Sequence, residues 1–481
     1  MNFAIVRYLI GWMLGIESIF LLLPALTAVI YGEAELPAYL TAAAISLAGA
    51  ALLCHRKPKN TRFYAREGYV TVALCWLVLA VIGALPFVLS REIPFFIDAL
   101  FETVSGFTTT GATILGDVEA LSHASMLWRC LTHWVGGMGV LVFMLIVLPL
   151  AGGQTIFLMR AESPGPAVSK MSPHMRDTAT ILYAIYFGLT VLQMILLLIG
   201  GMPLFDAICV SLGTAGTGGF GNWNDSIAHY NSAYLQNVIT VFMILFGINF
   251  SAYFLILTRK FRQAFRIEEI RVYLGVIFVF AGLIAFNVRP MFGSLRESFH
   301  HALFQVASII TPSGFSTVDF DRWPTFSRAL LVLLMFIGAC AGSTGGGIKC
   351  SRILLLGKSV KKEMMCLIHP RLVRVNKMDG QRVPHEVMRS INVFVVAYAF
   401  IFILSLLIIS LNCEDLVTCF TSVATTLNNV GPGLSLCGPT CNFDFFPPLS
   451  KCVLIFDMLA GRLELFPMLL LFTPGTWQRN K

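Results

Sequence analysis

The sequence predicts an all-α polytopic membrane protein in which two transmembrane helices precede four tandem repeats. Three observations support this fold class: a shortage of charged residues, ten long apolar stretches and a short motif that occurs four times. Of the 481 residues, 57% are hydrophobic and 12% are charged, and the mean hydropathy is +0.77. Soluble domains contain about 25% charged residues. The composition therefore excludes a water-soluble enzyme, a disordered protein and a nucleic-acid-binding protein, although the pI is 8.9.

Ten apolar stretches are long enough to cross a bilayer as helices, which takes about 20 residues each. The first stretch contains Arg7 and lacks a small-residue cleavage site, so we expect a retained helix rather than a signal peptide. An even number of spans places both termini on the same side of the membrane. The predicted spans are residues 6–30, 38–54, 69–90, 128–150, 178–200, 234–257, 271–288, 328–357, 390–411 and 449–472.

The basic residues indicate which side that is, because cytoplasmic loops are enriched in Lys and Arg. With both termini in the cytoplasm, the cytoplasmic segments contain 26 of the 34 Lys and Arg residues and the outer segments contain six. Carboxylates have the opposite distribution, with 15 outside and eight inside. The sequence therefore predicts cytoplasmic termini and an acidic outer mouth that would attract cations.

Four outer loops contain the same arrangement of 14 residues, which closes on a glycine. The segments run from Asp98 to Gly111, from Asp206 to Gly219, from His301 to Gly314 and from Thr418 to Gly431. Each lies between two apolar spans, so each repeat is predicted to be a helix, a short half-helix, a polar turn and a second helix. The half-helices are too short to cross a membrane, and a non-helical turn at membrane depth is tolerated only where it lines water or protein.

The four turns are expected to surround one axis and to form a pore for a monovalent cation. Glycine permits positive φ and a close approach of the backbone, and carbonyl oxygens can replace the hydration shell of an ion. The negative C-terminal ends of the half-helices would point to the same place. The alternative is a set of re-entrant loops that only pack. The predicted domains are an N-terminal helix pair at 1–60 and pore repeats at 61–158, 159–258, 259–360 and 361–481.

The motifs in these turns resemble those of the TrkH family, the membrane subunits of bacterial Trk potassium uptake systems in the Trk/Ktr/HKT superfamily. The resemblance covers essentially the whole chain, and the two spans before the first repeat are the extra pair expected of this branch. The turns contribute TTTGAT at 108–113, TGGFG at 217–221, TPSGFST at 311–317 and NNVGPG at 428–433. The other motifs are WVGGMG at 134–139, ESPGP at 162–166, GSTGGGIK at 342–349, LIHP at 367–370 and GRLE at 461–464.

The resemblance implies potassium uptake across the bacterial inner membrane by a homodimer with one pore per protomer and a cytosolic ring of nucleotide-binding TrkA-type regulatory subunits. K+ is then the transported ion, and no organic cofactor and no nucleic acid are expected. Glycine at position 111 favours potassium, because plant relatives that transport sodium tend to have serine there. The resemblance assigns the K+ selectivity filter to Thr109, Thr110, Gly111, Gly218, Gly219, Ser313, Gly314, Val430 and Gly431.

The predicted span 328–357 is interrupted by four glycines within six positions, each of which costs a helix about 1 kcal/mol relative to alanine. The break is expected in the pore below the filter, where water can satisfy the backbone and where the segment would block ions until displaced. A phosphate-binding loop is excluded because Ile348 separates the last glycine from the lysine, and a packing kink is the alternative. The resemblance likewise indicates an intramembrane gating loop, comprising Gly342, Ser343, Thr344, Gly345, Gly346, Gly347 and Lys349.

Arg462 lies in the last predicted span, near Asp457 and Glu464. A charge at this depth is costly and usually faces a pore or a partner. Arg462 is therefore either a fixed positive charge in the pore or a structural ion pair with one of these acids. Lys349 is either a second positive barrier or an anchor at the cytoplasmic surface.

The sequence thus predicts a potassium-conducting uptake protein and not an enzyme, because no cluster of nucleophile, base or metal ligands is evident. The alternatives are a secondary transporter that couples K+ to H+ or Na+ and a less selective K+/Na+ channel. A coupled carrier would need intramembrane carboxylates, for which Glu17, Asp457 and Glu464 are available. The basic segment 349–389 is predicted to contact anionic lipid or the regulatory ring. A disulfide among Cys413, Cys437 and Cys441 on the outer side is left open.

Overall fold

The structure is a computed structural model that describes residues 1–58, 64–147, 175–371 and 375–478. The ESPGP motif, most of the predicted loop 159–177 and the boundary between the first two predicted repeats lie outside the described residues. Within the described ranges the α-helices are α1 (Phe3–Tyr31), α2 (Leu36–Cys54), α3 (Ala65–Ser90), α4 (Phe96–Phe107), α5 (His123–Val147), α6 (Met175–Ile199), α7 (Leu204–Gly216), α8 (Ala233–Phe246), α9 (Phe250–Leu257), α10 (Phe261–Ala264), α11 (Glu268–Val288), α12 (Leu295–Ile310), α13 (Thr325–Ile337), α14 (Cys350–Ile368), α15 (His385–Ser410), α16 (Leu416–Leu427), α17 (Pro448–Arg462), α18 (Phe466–Leu471) and α19 (Pro474–Trp477). The same ranges contain the 3-10 helices Ser226–His229, Arg289–Met291, Phe320–Arg322 and Ser435–Cys437, and the strands β1 (Lys377–Met378) and β2 (Gln381–Arg382).

Six of the described helices are long and apolar enough to cross a membrane, and a bent pair adds a seventh candidate. The six are α1, α2, α3, α6, α11 and α15. Their outward faces carry large apolar side chains, such as Leu52, Phe286 and Phe400, each of which is exposed. Extended apolar surfaces of this kind mark a membrane or a partner. The prediction of a polytopic membrane protein is therefore confirmed.

Three of the predicted spans are not continuous helices. The glycine-rich break was predicted, and the structure places it between α13 and α14, at residues 338–349. The predictions of continuous spans at 234–257 and 449–472 are wrong. The first consists of α8 and α9, which are bent by 94°, and the second is broken between α17 and α18.

Each unpredicted break is stabilised by contacts with distant residues. At the α8–α9 bend, the carbonyl of Gly247 accepts a hydrogen bond from the N–H of Cys340 at 3.1 Å, and the N–H of Phe250 donates to the carbonyl of Gly342 at 3.1 Å. The two broken spans thus satisfy each other's backbone groups, as helix breaks at membrane depth require. After α17, Glu464 has φ +57° and pairs with Arg352 at 2.6 Å.

Four of the described helices are half-helices of 12, 13, 16 and 12 residues, namely α4, α7, α12 and α16. The sequence explains where two of them begin. Ser294 accepts a hydrogen bond from the N–H of Glu297 at the start of α12, and Asp415 accepts from the N–H groups of Val417 and Thr418 at the start of α16. Such side chains satisfy backbone donors that the first helical turn leaves free. Each half-helix leads directly into one of the predicted polar turns.

The N-terminal pair packs against the first predicted repeat, since α1 lies along α2 and also contacts α3 and α5. Glu33, in the α1–α2 connection, accepts hydrogen bonds from the N–H groups of His123 and Ala124 and so caps α5. Further along the chain, β1 and β2 form an antiparallel hairpin between α14 and α15. Its two turn residues, Asp379 and Gly380, both have positive φ, as a tight hairpin turn requires.

Candidate ion pathway

The four polar turns converge, and their closing glycines form a ring. The ring glycines are Gly111, Gly219, Gly314 and Gly431, with φ of +81°, +78°, +75° and +96°. A methyl group on each would meet the carbonyl oxygen of the residue that precedes the ring glycine of the next turn. The contacted oxygens belong, in order, to Gly218, Ser313, Val430 and Thr110. The fourth turn therefore closes onto the first, and four turns far apart in sequence surround one point.

The backbone of the four turns has one further shared feature. In each turn the residue before the ring glycine donates its N–H to the carbonyl five residues earlier, at the end of the half-helix. The bonds run from Thr110 to Ser105 at 2.9 Å, from Gly218 to Gly213 at 3.0 Å, from Ser313 to Ser308 at 2.8 Å and from Val430 to Thr425 at 2.8 Å. This bond is the one that closes a helix end on a left-handed residue. The half-helices therefore end toward the ring, with their negative ends closest to it.

The side chains assigned to the filter are buried, and their polar atoms bond within the wall. Thr110 Oγ1 lies 2.8 Å from Thr108 Oγ1 and accepts a hydrogen bond from Asn429 Nδ2 at 3.0 Å, which joins the fourth turn to the first. Ser313 Oγ lies 2.9 Å from Thr311 Oγ1. The hydroxyl groups are thus engaged in holding the turns. This arrangement leaves the backbone carbonyls as the groups by which the ring would bind an ion.

Two buried residues of α5 support the first two turns, and neither was assigned to the site from the sequence. Arg129 pairs with Glu102 at 2.7 Å, and Glu102 also accepts the N–H of Ile114 beyond the first turn. His133 bridges two turns: Nδ1 donates to the carbonyl of Gly106 at 2.8 Å, and Nε2 accepts the N–H of Phe220 at 3.2 Å. A charged residue within a span was a signal for Arg129, whereas nothing in the sequence pointed to His133.

The glycine-rich loop, residues 338–349, lies against the start of the third and fourth turns. A Cβ on Gly346 would lie 2.6 Å from Asn429 Oδ1, and one on Gly347 would lie 3.3 Å from the carbonyl oxygen of Asn428. A Cβ on Gly345 would lie 3.4 Å from the carbonyl oxygen of Thr311. The loop is therefore next to the ring at the end where the half-helices stop. The predicted interruption of the helix is confirmed, while its place in a pore and its role as a gate stay predictions.

Side chains of the loop hold it in place. Thr344 Oγ1 donates to the carbonyl of Phe246 at 3.3 Å, and Ser343 Oγ donates to the carbonyl of Cys340 at 2.7 Å. Lys349 turns back into the loop, where its Nζ donates to the carbonyl of Gly345. The Lys349 side chain is therefore bound within the loop that lies next to the ring.

Arg462 connects the loop to the ring. Its guanidinium donates to Thr344 O at 2.6 Å, to Gly136 O at 2.8 Å and to Thr109 Oγ1 at 3.2 Å. One side chain therefore contacts the loop, α5 and the first turn. The two acids considered as its partners bond elsewhere, since Glu464 pairs with Arg352 and Asp457 accepts a hydrogen bond from Ser405 Oγ at 2.7 Å.

The remaining sequence-predicted residues are dispersed. Glu17 lies in α1, is 3% exposed, and lines a small apolar cavity together with Trp76 and Gly136. All twelve cysteines lie in the described ranges, and none of them forms a disulfide bond in this structure. Within those ranges, no group of three or more His, Cys, Asp or Glu side chains is arranged to hold a metal ion.

Known proteins resemble this chain over nearly its whole length. The family model for TrkH, described as a cation transport protein, matches residues 38–280 and 276–478. The Trk system potassium uptake protein TrkH of Salmonella typhimurium is 38% identical over 99% of this chain and 100% of its own length. The Trk system potassium uptake protein TrkG of Escherichia coli K12 is 33% identical over 98% of both chains. The crystal structure of the potassium transporter TrkH from Vibrio parahaemolyticus superposes with a TM-score of 0.90 at 32% identity, over 99% of this chain and 100% of that chain.

Proposed function

Because this chain belongs to the TrkH family of cation transport proteins, we propose that it carries potassium ions into the cell through the ring of four turns. The observation that supports this function is the closed ring itself, in which each turn packs on the next and the last on the first. The ions move down their electrochemical gradient, to which a membrane potential contributes about 2.3 kcal/mol per charge for each 100 mV. Two curated relatives named above are potassium uptake proteins of Trk systems.

The K+ ion is held in this proposal by the backbone carbonyls of the four turns. Their oxygens replace the water that an ion loses when it leaves the solvent. The half-helix ends add a negative potential at the same place. The residues that form the filter are Thr109, Thr110, Gly111, Gly218, Gly219, Ser313, Gly314, Val430 and Gly431, and the repeat boundaries are those that the sequence predicts.

The glycine-rich loop acts in this proposal as the gate. It lies next to the ring on the side where the half-helices end, so it stands in the path of an ion that has passed the filter. Arg462 donates two of its hydrogen bonds to the loop and to the first turn, and its charge opposes a cation at the inner end of the filter. Opening then requires the loop to leave these contacts.

The protein works in this proposal as a homodimer in the bacterial inner membrane, with both termini in the cytoplasm. A nucleotide-binding TrkA-type regulatory subunit contacts its cytosolic face. The names of the relatives place them in a multi-component Trk system. The predicted cytoplasmic segment 349–389 is rich in Lys and Arg, which suits contact with an anionic partner or anionic lipid.

Ion flux from the purified full-length chain in liposomes tests the function. Flux of K+, Rb+, Na+ and Li+ would be measured under an imposed voltage, with empty liposomes as the control. We expect K+ and Rb+ to permeate well and Na+ and Li+ poorly. Equal permeation of K+ and Na+ would contradict the filter. Deletion of Gly345, Gly346 and Gly347 should raise K+ flux, and an unchanged flux in a folded variant would contradict the gate.

Glu17 favours proton-coupled transport as a second candidate. Its carboxyl is buried in α1, and among the described residues neither of its oxygens has a hydrogen-bond partner. The cavity that it lines also borders Phe107, at the end of the first half-helix. If transport is coupled, K+ flux will saturate and require a proton gradient, and Glu17→Gln will abolish that requirement. Flux that depends only on voltage supports the channel.

A further inference from the structure

Glu269 binds the backbone on both sides of the GSTGGGIK motif with a single oxygen atom. The residue lies in the first turn of α11 and is 3% exposed. Its Oε1 accepts the N–H of Ala341 at 2.7 Å and the N–H of Ser351 at 3.0 Å. Ala341 directly precedes Gly342, the first glycine of the GSTGGGIK motif. Ser351 is the second residue of α14. The carboxyl oxygen therefore connects the backbone on the two sides of residues 342–349.

The chemistry of this contact makes it a strong restraint on the loop. Backbone N–H groups at membrane depth are costly to leave without an acceptor, and here one carboxyl oxygen accepts two of them. Ser351 belongs to the first turn of α14, where the helix itself offers no acceptor for the backbone N–H. If Glu269 moves away, both N–H groups lose this acceptor and the loop loses its shared anchor.

The preceding residue, Glu268, is tied to the hairpin formed by β1 and β2. Its carboxylate pairs with Lys358, and its N–H donates to Asp379 Oδ1 in the hairpin turn at 2.7 Å. Lys358 Nζ also donates to the carbonyl of Lys377 at 2.7 Å. The hairpin and the loop are therefore bound to two consecutive residues at the start of α11. A displacement of the hairpin would act directly on the residue that fastens the loop.

We propose that Glu269 is the positioning residue that keeps the loop closed, and that the hairpin Lys377–Arg382 controls it through Glu268. This inference rests on the proposed gate. It adds the residue that holds the proposed gate closed, Glu269, which we call the latch. It also adds the surface whose displacement would release this residue, the hairpin. Glu269 and the hairpin both lie outside the four filter turns. Changes in them should therefore alter how often the pore opens and leave ion selectivity unchanged.

Three substitutions of Glu269 test the latch by K+ flux in liposomes that contain the purified full-length chain alone. Glu269→Ala removes the acceptor, and we expect flux to rise about tenfold, which corresponds to about 1.4 kcal/mol. Glu269→Gln keeps an oxygen at the same reach, so its flux should stay within about threefold of the unmodified protein. Glu269→Asp keeps the charge but shortens the side chain, so that it cannot reach both N–H groups, and flux should rise severalfold.

Cysteine labelling supplies a readout that is independent of ion flux. Cys340 lies in the loop and Cys350 directly follows it, and both are buried, whereas Cys209 is buried in α7. Labelling by N-ethylmaleimide, followed for each peptide by mass spectrometry, should become about tenfold faster at Cys340 and Cys350 in Glu269→Ala. The rate at Cys209 should not change. If Glu269→Ala fails to fold, Glu269→Asp provides the same comparison.

The hairpin is tested with Asp379→Gly, which removes the carboxylate but suits the positive φ of that position. We expect Asp379→Gly to raise K+ flux severalfold in the unmodified chain and to have no further effect in Glu269→Ala. Independent effects that simply add would overturn the coupling. Unchanged flux and labelling in the Glu269 variants would overturn the latch. The loop deletion separates the two proposals, because a deleted chain that conducts no K+ contradicts the proposed function itself.

Discussion

A methyl group at Gly431 is the most direct test of the ring of glycines, because backbone atoms occupy the space that it needs. A Cβ at this position would lie 2.7 Å from the carbonyl oxygen of Thr110 and 3.2 Å from the carbonyl carbon of Gly111. Real Cβ atoms essentially never approach other atoms closer than 3.0 Å, so the oxygen must move by about 0.3 Å or more. Because the obstructing atoms belong to backbone, no side-chain rotation can relieve the contact.

The size of the effect follows from two costs. Gly431 has φ +96°, and an L-residue in left-handed backbone conformations costs about 1–2 kcal/mol. The displaced carbonyl adds strain and moves one oxygen of the proposed filter away from its place. If these two costs together destabilise the conducting conformation by about 1.4–3 kcal/mol, K+ flux should fall about ten- to hundredfold. A site with one displaced oxygen should also discriminate less between K+ and Na+.

Gly282→Ala is the matched control, since it makes the same chemical change on α11 where a Cβ would meet nothing within 4 Å. Alanine at this helical position should leave flux unchanged and stabilise the protein by up to about 1 kcal/mol. Both variants would be purified in detergent, compared by thermal unfolding and then assayed for K+ and Na+ flux in liposomes. A folded Gly431→Ala protein with an unchanged flux and an unchanged K+/Na+ ratio would refute the role of the ring.

Three further predictions concern charged residues that bond to the turns or to the half-helices. Arg462→Lys keeps the charge but loses the planar guanidinium that reaches Thr344 O and Gly136 O. Basal K+ flux should therefore rise about fivefold or more in Arg462→Lys, and further in Arg462→Ala. A Lys variant with the same flux as the unmodified protein would show that only the charge matters. The hydrogen bond from the Thr418 hydroxyl, with further bonds at the start of α16, lowers the pKa of Asp415 to about 2, below the ordinary value of 3.8, so its stabilising contribution is full above pH 3.8 and is lost as the pH falls through about 2. Thermal unfolding measured between pH 6 and pH 2 should therefore show a smaller loss of stability for Asp415→Asn than for the unmodified protein, and parallel curves would contradict this origin. Arg129→Met leaves Glu102 buried without its partner and should cost about 3–5 kcal/mol in unfolding experiments, whereas the double variant Glu102→Leu, Arg129→Met should recover most of that loss.

The sequence predicted features that depend on spacing within a repeat. The fixed interval between the start of each segment and its glycine located all four turns, because a half-helix of a given length must end before the chain can turn. The cluster of glycines at 342–347 located the break before α14, because four glycines within six positions outweigh the helical preference of the flanking apolar residues. These are local effects, and hydropathy and glycine content record them directly.

Contacts between repeats could not be predicted in this way. Gly247 is a lone glycine in an apolar run, and its cost of about 1 kcal/mol does not by itself break a helix. The break is stabilised because its backbone groups bond to Cys340 and Gly342 in the next repeat. Likewise, the acids considered for Arg462 were its neighbours in sequence, whereas Glu464 pairs with Arg352, which is 112 positions away. Pairing across such separations is decided by packing of the whole fold.

The four turns are equivalent in their ring contacts but not in their surroundings, and this inequality is what makes a single gate feasible. The loop packs on the third and fourth turns, at Thr311 and Asn429, while Arg462 connects it to the first turn at Thr109. A pore built from four identical chains would place four such loops and four such arginines around one axis. In the proposed gate, a single loop beside the ring needs only one restraint, so the loss of the carboxyl group of Glu269 should suffice to release it.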